Sequence, residues 1–486
     1  MRILRFLTFF TFIIFCIQLK AVHAETTIAE ESIFRMANGS YYHPATGKMA
    51  TSKERLMDVI LGRTASSAID TSTQSGPALR HAVEKAQMLL QSRLNDARNQ
   101  RRMVTTKNLP QTWFSLTLAL WYPQTDEIIL RDILRRDMVV TEVDGSPISS
   151  IRVERSNGVN SEYSFDDDRI VVLANVHPIL KQVDTSTYEL FPVIYTPYSD
   201  GLHTQEMVAW GSDYLDAWMD NAYQDLRAAS VTSRAFPEKL LADVIDPKVV
   251  RAIAVIEHAD NADVKRNPLR TIESVYVTLA GNEKDSYAYA RSSAGALGLV
   301  QFIPSTYASL IRQRPELGLE KDFESGMRQP INALKAQIAY LDLLITEIPE
   351  ITRARFQNEH ESVNEYLVAS YNGGSGKVRR AMSDWEGAIQ GTQQTTLRSF
   401  IKKHASLDAQ VSVLQKKIHV TKKGKTLTNI KLQLKIVQKQ HDTVATDEAY
   451  YRKFALREET RGYILKYRRA LTVLKEIDQT IAMVSR

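Results

Sequence analysis

Residues 292–306 read Ser292-Ser-Ala-Gly295-Ala-Leu-Gly298-Leu-Val-Gln301-Phe-Ile-Pro304-Ser-Thr306. Two glycines three residues apart permit backbone conformations and close approaches that a Cβ would block. An apolar run with a single amide, Gln301, follows. Pro304 then starts a helix, because a missing N–H costs nothing in a first turn. Such a loop makes an apolar wall with one hydrogen-bonding side chain. That suits a sugar-binding groove, and it equally suits an ordinary loop entering a helix.

Two flanking segments narrow the choice. Upstream, Val249-Val-Arg-Ala-Ile-Ala-Val-Ile-Glu257-His258 predicts an apolar helix ending on one carboxylate. A carboxyl group among apolar side chains loses hydration, so its pKa rises and it stays protonated near neutral pH. A general acid needs that property; the plain alternative is a solvent-facing Glu at a helix end. Downstream, Glu365-Tyr-Leu-Val-Ala-Ser-Tyr371-Asn372-Gly-Gly-Ser-Gly376-Lys-Val378 predicts a helix closing on Tyr-Asn and a glycine cluster. It is not a phosphate loop: Tyr371 stands where the first glycine belongs, Val378 where Ser or Thr belongs, and no strand precedes it.

In this order the segments resemble the soluble lytic transglycosylase and goose-type lysozyme family. That family shows a helix-borne Glu-Ser, then Gly-Ala-x-Gly-Leu-Met-Gln-x-Met-Pro-x-Thr, then Ala-Tyr-Asn-Ala-Gly-x-Gly. Pro330 to Leu341 is similar to the family's Pro-x-x-Asn-Ile segment ending in Tyr-Leu. The resemblance covers about 245–390. It departs at His258 (for Ser), Val300 (for Met), Ala333 (for Asn) and Gln337 (for Gly). Glu257 lies 38 residues before Gly295, far more than is usual in the family. About 25 residues near 263–289 therefore read as an insertion, with an arm over the cleft as one form open to it. Glu273 keeps the Glu-Ser dipeptide and is the rival acid, but it lacks the long apolar run that precedes Glu257.

The resemblance implies a lysozyme-like α domain that cuts peptidoglycan between N-acetylmuramic acid and N-acetylglucosamine. Glu257 would be the catalytic acid. Gln301 and Gly295 would bind substrate, Ser293 would contact an N-acetyl sugar, and Tyr371 would bind substrate and position Glu257. Asn372 would shape the groove floor; Tyr340 either contacts substrate or packs within its helix. No second acid appears in the matched motifs. That favours a transglycosylase, which needs one carboxylate, over hydrolysis, which normally needs two. Asp260, Asp263 and Asp285 remain candidates for a second. The other readings are a goose-type hydrolase and an inactive peptidoglycan-binding scaffold.

The rest of the chain frames this region. Arg2 and Arg5 precede an apolar run from Phe6 to Leu19, and Val22-His23-Ala24 offers small residues for cleavage. This reads as a secretory signal peptide over 1–24, with an uncleaved anchor as the alternative, and implies a periplasmic or secreted protein. The single cysteine, Cys16, falls inside it, so no disulfide or thiolate chemistry is expected. With 44% hydrophobic and 24% charged residues the 486-residue chain is globular. Residues 25–105 are expected to be helical, most clearly from Pro77 to Arg102. Residues 106–200 hold β-rich runs such as Trp113 to Trp121 and Ile170 to Leu173, with a turn at Asp144-Gly145, and predict a small antiparallel sheet. Residues 201–234 read as a helical linker and 235–395 as the lysozyme-like domain.

Residues 396–486 read as a basic helical appendage broken at Lys422-Lys-Gly-Lys425. From 398 onward, 20 Lys+Arg face only 8 Asp+Glu, although the whole chain carries just +6. That charge suits an anionic wall polymer, a lipid headgroup or an acidic protein. Ile418 to Ile430 is similar to the opening of a LysM module, but a helical tail fits better. Its removal is expected to weaken salt-sensitive binding to sacculi and to leave cleavage of small fragments largely intact. The expected class is thus multidomain α+β, mainly α. The expected partner is peptidoglycan glycan, with no nucleic acid, no cofactor and no metal, in a monomer. His-Glu-x-x-His is absent, and His258 and His360 lack ligand-spaced partners.

Overall fold

The computed structural model describes residues 34–35, 41–43, 48–50, 75–94, 102–105, 112–167, 169–357, 360–421 and 425–484. The expected signal peptide and Cys16 lie outside them. The chain divides into two compact units. The first comprises Met1–Asp225, Arg270–Lys335 and Glu476–Arg486; the second comprises Leu226–Leu269 and Ala336–Lys475.

The first unit contains the antiparallel sheet. Three short strands, β1 (Phe34–Arg35), β2 (Tyr41–His43) and β3 (Lys48–Ala50), pair among themselves. Helix α1 (Ser75–Arg93) follows. The main sheet uses β4 (Arg102–Thr105), β5 (Phe114–Tyr122), β6 (Glu127–Arg136) and β7 (Val139–Thr141). After the two-stranded ribbon β8 (Ile151–Arg155) and β9 (Glu162–Phe165), it is completed by β10 (Val171–Gln182) and β11 (Thr187–Tyr195). Its order is β4-β11-β10-β5-β6-β7, and every paired neighbour is antiparallel. The expected turn at Asp144-Gly145 is present, with Gly145 at φ +88°.

Strand alternation explains how the sheet is covered on both faces. Leu116, Leu118 and Leu120 pack with Ile133, Ile151, Val153, Tyr163 and Val172. Thr117 and Ala119, between them in sequence, are buried as well. The apolar face of α1 (Leu79, Val83, Ala86, Leu90) is buried. Arg93 ties it to the sheet through Asp132, 2.6 Å away.

The helical expectation for 25–105 needs correction. Among the described residues this region holds one helix and four short strands. The helix reaches Arg93, and Arg102–Thr105 instead pairs with β11. Met-Val-Thr is β-compatible, and the sheet edge supplies backbone partners that local helical spacing does not reveal.

Helix α2 (Gln205–Ala228) leads toward the second unit, which opens with α3 (Leu241–Val244) and α4 (Pro247–Ile256). Next come α5 (Asn261–Arg266) and α6 (Pro268–Asn282). Residues 263–289, read as an insertion, are largely helical here. Ile272, Val275, Tyr276 and Leu279 of α6 are all buried, and the helix is part of the first unit's core. A Cβ on Gly211 of α2 would lie 1.9 Å from the Tyr276 carbonyl, so only glycine lets these backbones meet.

The chain continues through α7 (Pro304–Gln313), α8 (Phe323–Met327), α9 (Pro330–Thr346) and α10 (Glu350–Arg353). It ends with α11 (His360–Gly373), α12 (Ser375–Ala381), α13 (Trp385–Gln390), α14 (Thr392–Val420), α15 (Lys425–Phe454) and α16 (Glu458–Val484). The α14–α15 break falls at the expected Lys-Lys-Gly-Lys stretch, whose residues 422–424 lie outside the described ones. Among the described residues, no helix is long and apolar enough to cross a membrane.

The second unit has a continuous core. Ala369, Val378, Ala381, Ala388, Ile389, Leu456 and Ile464 form one apolar cluster. The buried Asp342 carboxylate of α9 accepts hydrogen bonds from the Ser233 hydroxyl and the Arg234 backbone N–H. The C-terminal region is therefore not a detached appendage, because α16 contributes Ile464 to the same core as α11–α13.

Candidate active site

Helix α4 is capped by Asp246, whose side chain accepts from the Lys248 N–H at 3.0 Å, with Pro247 in the first turn. Asn364 of α11 donates to the other Asp246 oxygen at 3.1 Å. Gln337 of α9, one of the family departures, is fully buried and donates to the Val250 carbonyl at 3.2 Å. Val249, Val250, Ala252, Ile253, Ala254, Val255 and Ile256 are fully buried. An apolar helix surrounded on nearly every side holds its terminal residue in a fixed place.

That residue is Glu257, whose N–H still donates to the Ile253 carbonyl. Part of the residue reaches the surface, but its carboxyl group is enclosed. Burial raises its pKa to about 7, against the lowering effects of the Tyr463 hydroxyl and Lys466 ammonium. Tyr463 Oη donates to Glu257 Oε1 at 2.5 Å. Tyr371 is itself pushed well above the usual tyrosine range by burial and by the neighbouring Glu257 and Tyr340. Its ring meets Tyr340 edge-to-face, with centroids 5.7 Å apart.

Tyr463 and Lys466 come from α16, within the tail whose removal is expected to leave cleavage of small fragments largely intact. Lys466 Nζ donates to the Ile256 and Ala259 carbonyls at 2.6 and 2.9 Å. A buried ammonium thus binds carbonyls at the C-terminal end of α4, where helix polarity favours positive charge. Burial lowers the Lys466 pKa despite the opposing pull of Glu257 and Asp260. The positions were not legible beforehand: nothing in Gly462-Tyr-Ile-Leu-Lys466 marks it as active-site sequence. The spacing of Tyr467, Leu471, Leu474 and Ile481, at steps of 4, 3 and 7, predicts one buried helix face without naming what it covers.

Glu257, Tyr340, Tyr371 and Asn372 belong to the second unit; Ser293, Gly295 and Gln301 belong to the first. In the Gly loop Ser293 is exposed, and Gly295 and Gly298 have φ of +81° and +79°. A Cβ on Gly298 would sit 2.2 Å from the Met327 carbonyl. Gln301 also adopts a positive φ, +50°, a conformation that non-glycine residues hold only under local constraint. Its Nε2 supplies that constraint by donating to the Ala290 and Gly298 carbonyls at 3.0 and 2.8 Å. Gln301 Oε1 accepts no hydrogen bond among the described residues. Asn372 Oδ1 is likewise buried without a partner among them.

The rival acid is engaged elsewhere. Glu273 is buried in α6, with its Oε2 2.9 Å from His203 Nε2. Among the candidate second carboxylates, Asp260 caps α5 by accepting from the Ala262 and Asp263 N–H groups. Asp263 lies 3.6 Å from Arg266, and Asp285 belongs to the first unit.

Residues 236–389 match the family model of the transglycosylase SLT domain. The sequence resemblance is thereby supported by an independent comparison over nearly the same span. No curated protein matches the chain. The SLT match supports a lysozyme-like function acting on peptidoglycan. It ends before α14, so Tyr463 and Lys466 lie outside the matched SLT segment while contacting its candidate acid and the helix end that carries it.

Proposed function

We propose that the protein is a peptidoglycan lytic transglycosylase with Glu257 as its acid and base. The observation that carries this reading is one enclosed carboxylic acid, with a pKa raised to about 7, inside an SLT-matching segment. Protonated Glu257 donates to the oxygen bridging N-acetylmuramic acid C1 and N-acetylglucosamine C4. The C1–O bond breaks, leaving an oxocarbenium-like C1 and a Glu257 carboxylate. That carboxylate takes the proton of the muramic 6-hydroxyl as O6 bonds to C1. The product is a 1,6-anhydro end, the carboxyl group is protonated again, and no water is consumed.

In this reading Tyr463 stabilises the ionised carboxylate between the two proton transfers, and Tyr371 packs beside it. In the first unit the unengaged Gln301 Oε1 suits an N–H or O–H donor of a sugar; in the second the buried, unpartnered Asn372 Oδ1 separately suits such a donor. The N-terminal signal-like sequence and the substrate class support a periplasmic or extracellular address. The exposed lysines of α14 and α15, such as Lys402, Lys416 and Lys435, support attraction to an anionic partner.

Digestion of purified sacculi with muropeptide mass analysis tests the proposal. Anhydro ends are expected. Reducing ends would identify a hydrolase, and no soluble product would leave a binding scaffold. Glu257→Gln is expected to lower turnover more than about a hundredfold, a typical general-acid contribution.

A further inference from the structure

Helices α14 and α15 of the second unit bring together three side chains that no motif announces. His404 and Asp408 share one face of α14, four residues apart. His441 faces them from α15. His404 Nε2 lies 2.9 Å from His441 Nε2, which lies 2.9 Å from Asp408 Oδ1. All three ligand-capable atoms fall within 4.8 Å of one another.

Hydrogen-bond accounting shows what this arrangement lacks. His404 Nδ1 is 2.7 Å from Glu448 Oε2. A carboxylate only accepts, so Nδ1 carries the proton and the neutral ring presents a lone pair at Nε2. His441 Nδ1 lies 3.3 Å from Asp442 Oδ1, which favours the same tautomer. Two imidazole lone pairs and a carboxylate oxygen then converge with no hydrogen between them. Doubly protonated His441 offers a single Nε2–H to two acceptors, so one of them is left to solvent. A cation satisfies all three.

We propose that His404, Asp408 and His441 bind a divalent late transition-metal ion of the Zn2+ class, clasping α14 to α15. Two imidazoles and one carboxylate suit Zn2+ better than the all-oxygen shells of Mg2+ or Ca2+. Ligands at about 2.05 Å around a tetrahedral centre lie roughly 3.3 Å apart, so the facing nitrogens need to part by only a few tenths of an ångström. Glu448, nearly buried, fixes the His404 tautomer in the carboxylate–histidine–metal pattern. Asp408 is 62% exposed in its side chain and gives the ion an entry path. Charge supports the assignment too. Asp408, Asp442 and Glu448, with Asp447, are four of the eight acids after residue 397 and the only acids of a lysine-rich hairpin.

The test uses the full-length protein after chelation, titrated calorimetrically with Zn2+ and spectroscopically with Co2+. The expected result is one saturable equivalent and the intense visible bands of four-coordinate Co2+. His404→Ala with His441→Ala should abolish both. Glu448→Gln should weaken Zn2+ binding by about 10–100-fold without removing a ligand. Asp408→Asn, at an exposed position that folding tolerates, should weaken it at least tenfold. Affinity within twofold of wild type in the double variant or in Asp408→Asn would overturn the site, as would failure of the wild type to saturate.

Discussion

Replacing Tyr463 with Phe tests how the Glu257 pKa is set. The hydroxyl donates to Oε1 at 2.5 Å in a buried setting, and it stabilises the carboxylate rather than the acid. A hydrogen bond to a charged group contributes about 1.5–3 kcal/mol. At 1.36 kcal/mol per pH unit, losing it should raise the Glu257 pKa by about 1–2 units. Burial already holds that pKa at about 7, so the variant should titrate near 8–9. In the proposed reaction Glu257 must be protonated to act, so the alkaline limb of kcat/KM against pH, read from release of soluble muropeptides, should move upward by the same interval. At pH 6 the acid is protonated in both proteins, and protonation alone then changes little. The base step should slow because its carboxylate has lost a donor. With circular dichroism confirming a folded variant, an alkaline limb moved by less than about 0.3 unit would refute this account.

Other consequences follow from the same geometry. Folded Glu257, with pKa about 7 against an unfolded value of 4.5, binds more proton than the unfolded chain between those values. Stability fully present below pH 4.5 should therefore be lost as pH rises through 7, by about 3 kcal/mol. Urea unfolding at pH 5 and 8 should show this slope in wild type and not in Glu257→Gln. Gly298→Ala places a Cβ 2.2 Å from the Met327 carbonyl at φ +79° and should cost about 2–4 kcal/mol, seen as a lower Tm. Deleting 458–486 removes Tyr463, Lys466 and the buried Ile464, Tyr467 and Leu474. It should abolish sacculus digestion and lower the Tm, and full activity in the truncated protein would contradict the placement of α16.

Local patterning made part of this legible. An unbroken apolar run from Val249 to Ile256 needs burial on all sides, so its terminal Glu257 could be read as desolvated from the sequence. The Gly295 and Gly298 spacing signalled positive φ, and β-rich runs separated by turns signalled an antiparallel sheet. Each of these depends on neighbours within a few residues, where sequence and geometry are directly linked. Spacing misled where a distant partner decided. Arg102–Thr105 became a strand because β11 offered it a ladder, and within the 263–289 insertion Pro268–Asn282 became a core helix where Gly211 admits the Tyr276 carbonyl. Glu257 has its donor from Tyr463, 206 residues later, and the His404–His441 pairing spans 37 residues and two helices. The sequence by itself determined which carboxyl group would be stripped of water. Only the tertiary structure decided which hydroxyl and which ammonium would balance that loss, because long-range partners are chosen by packing and leave no local period to read.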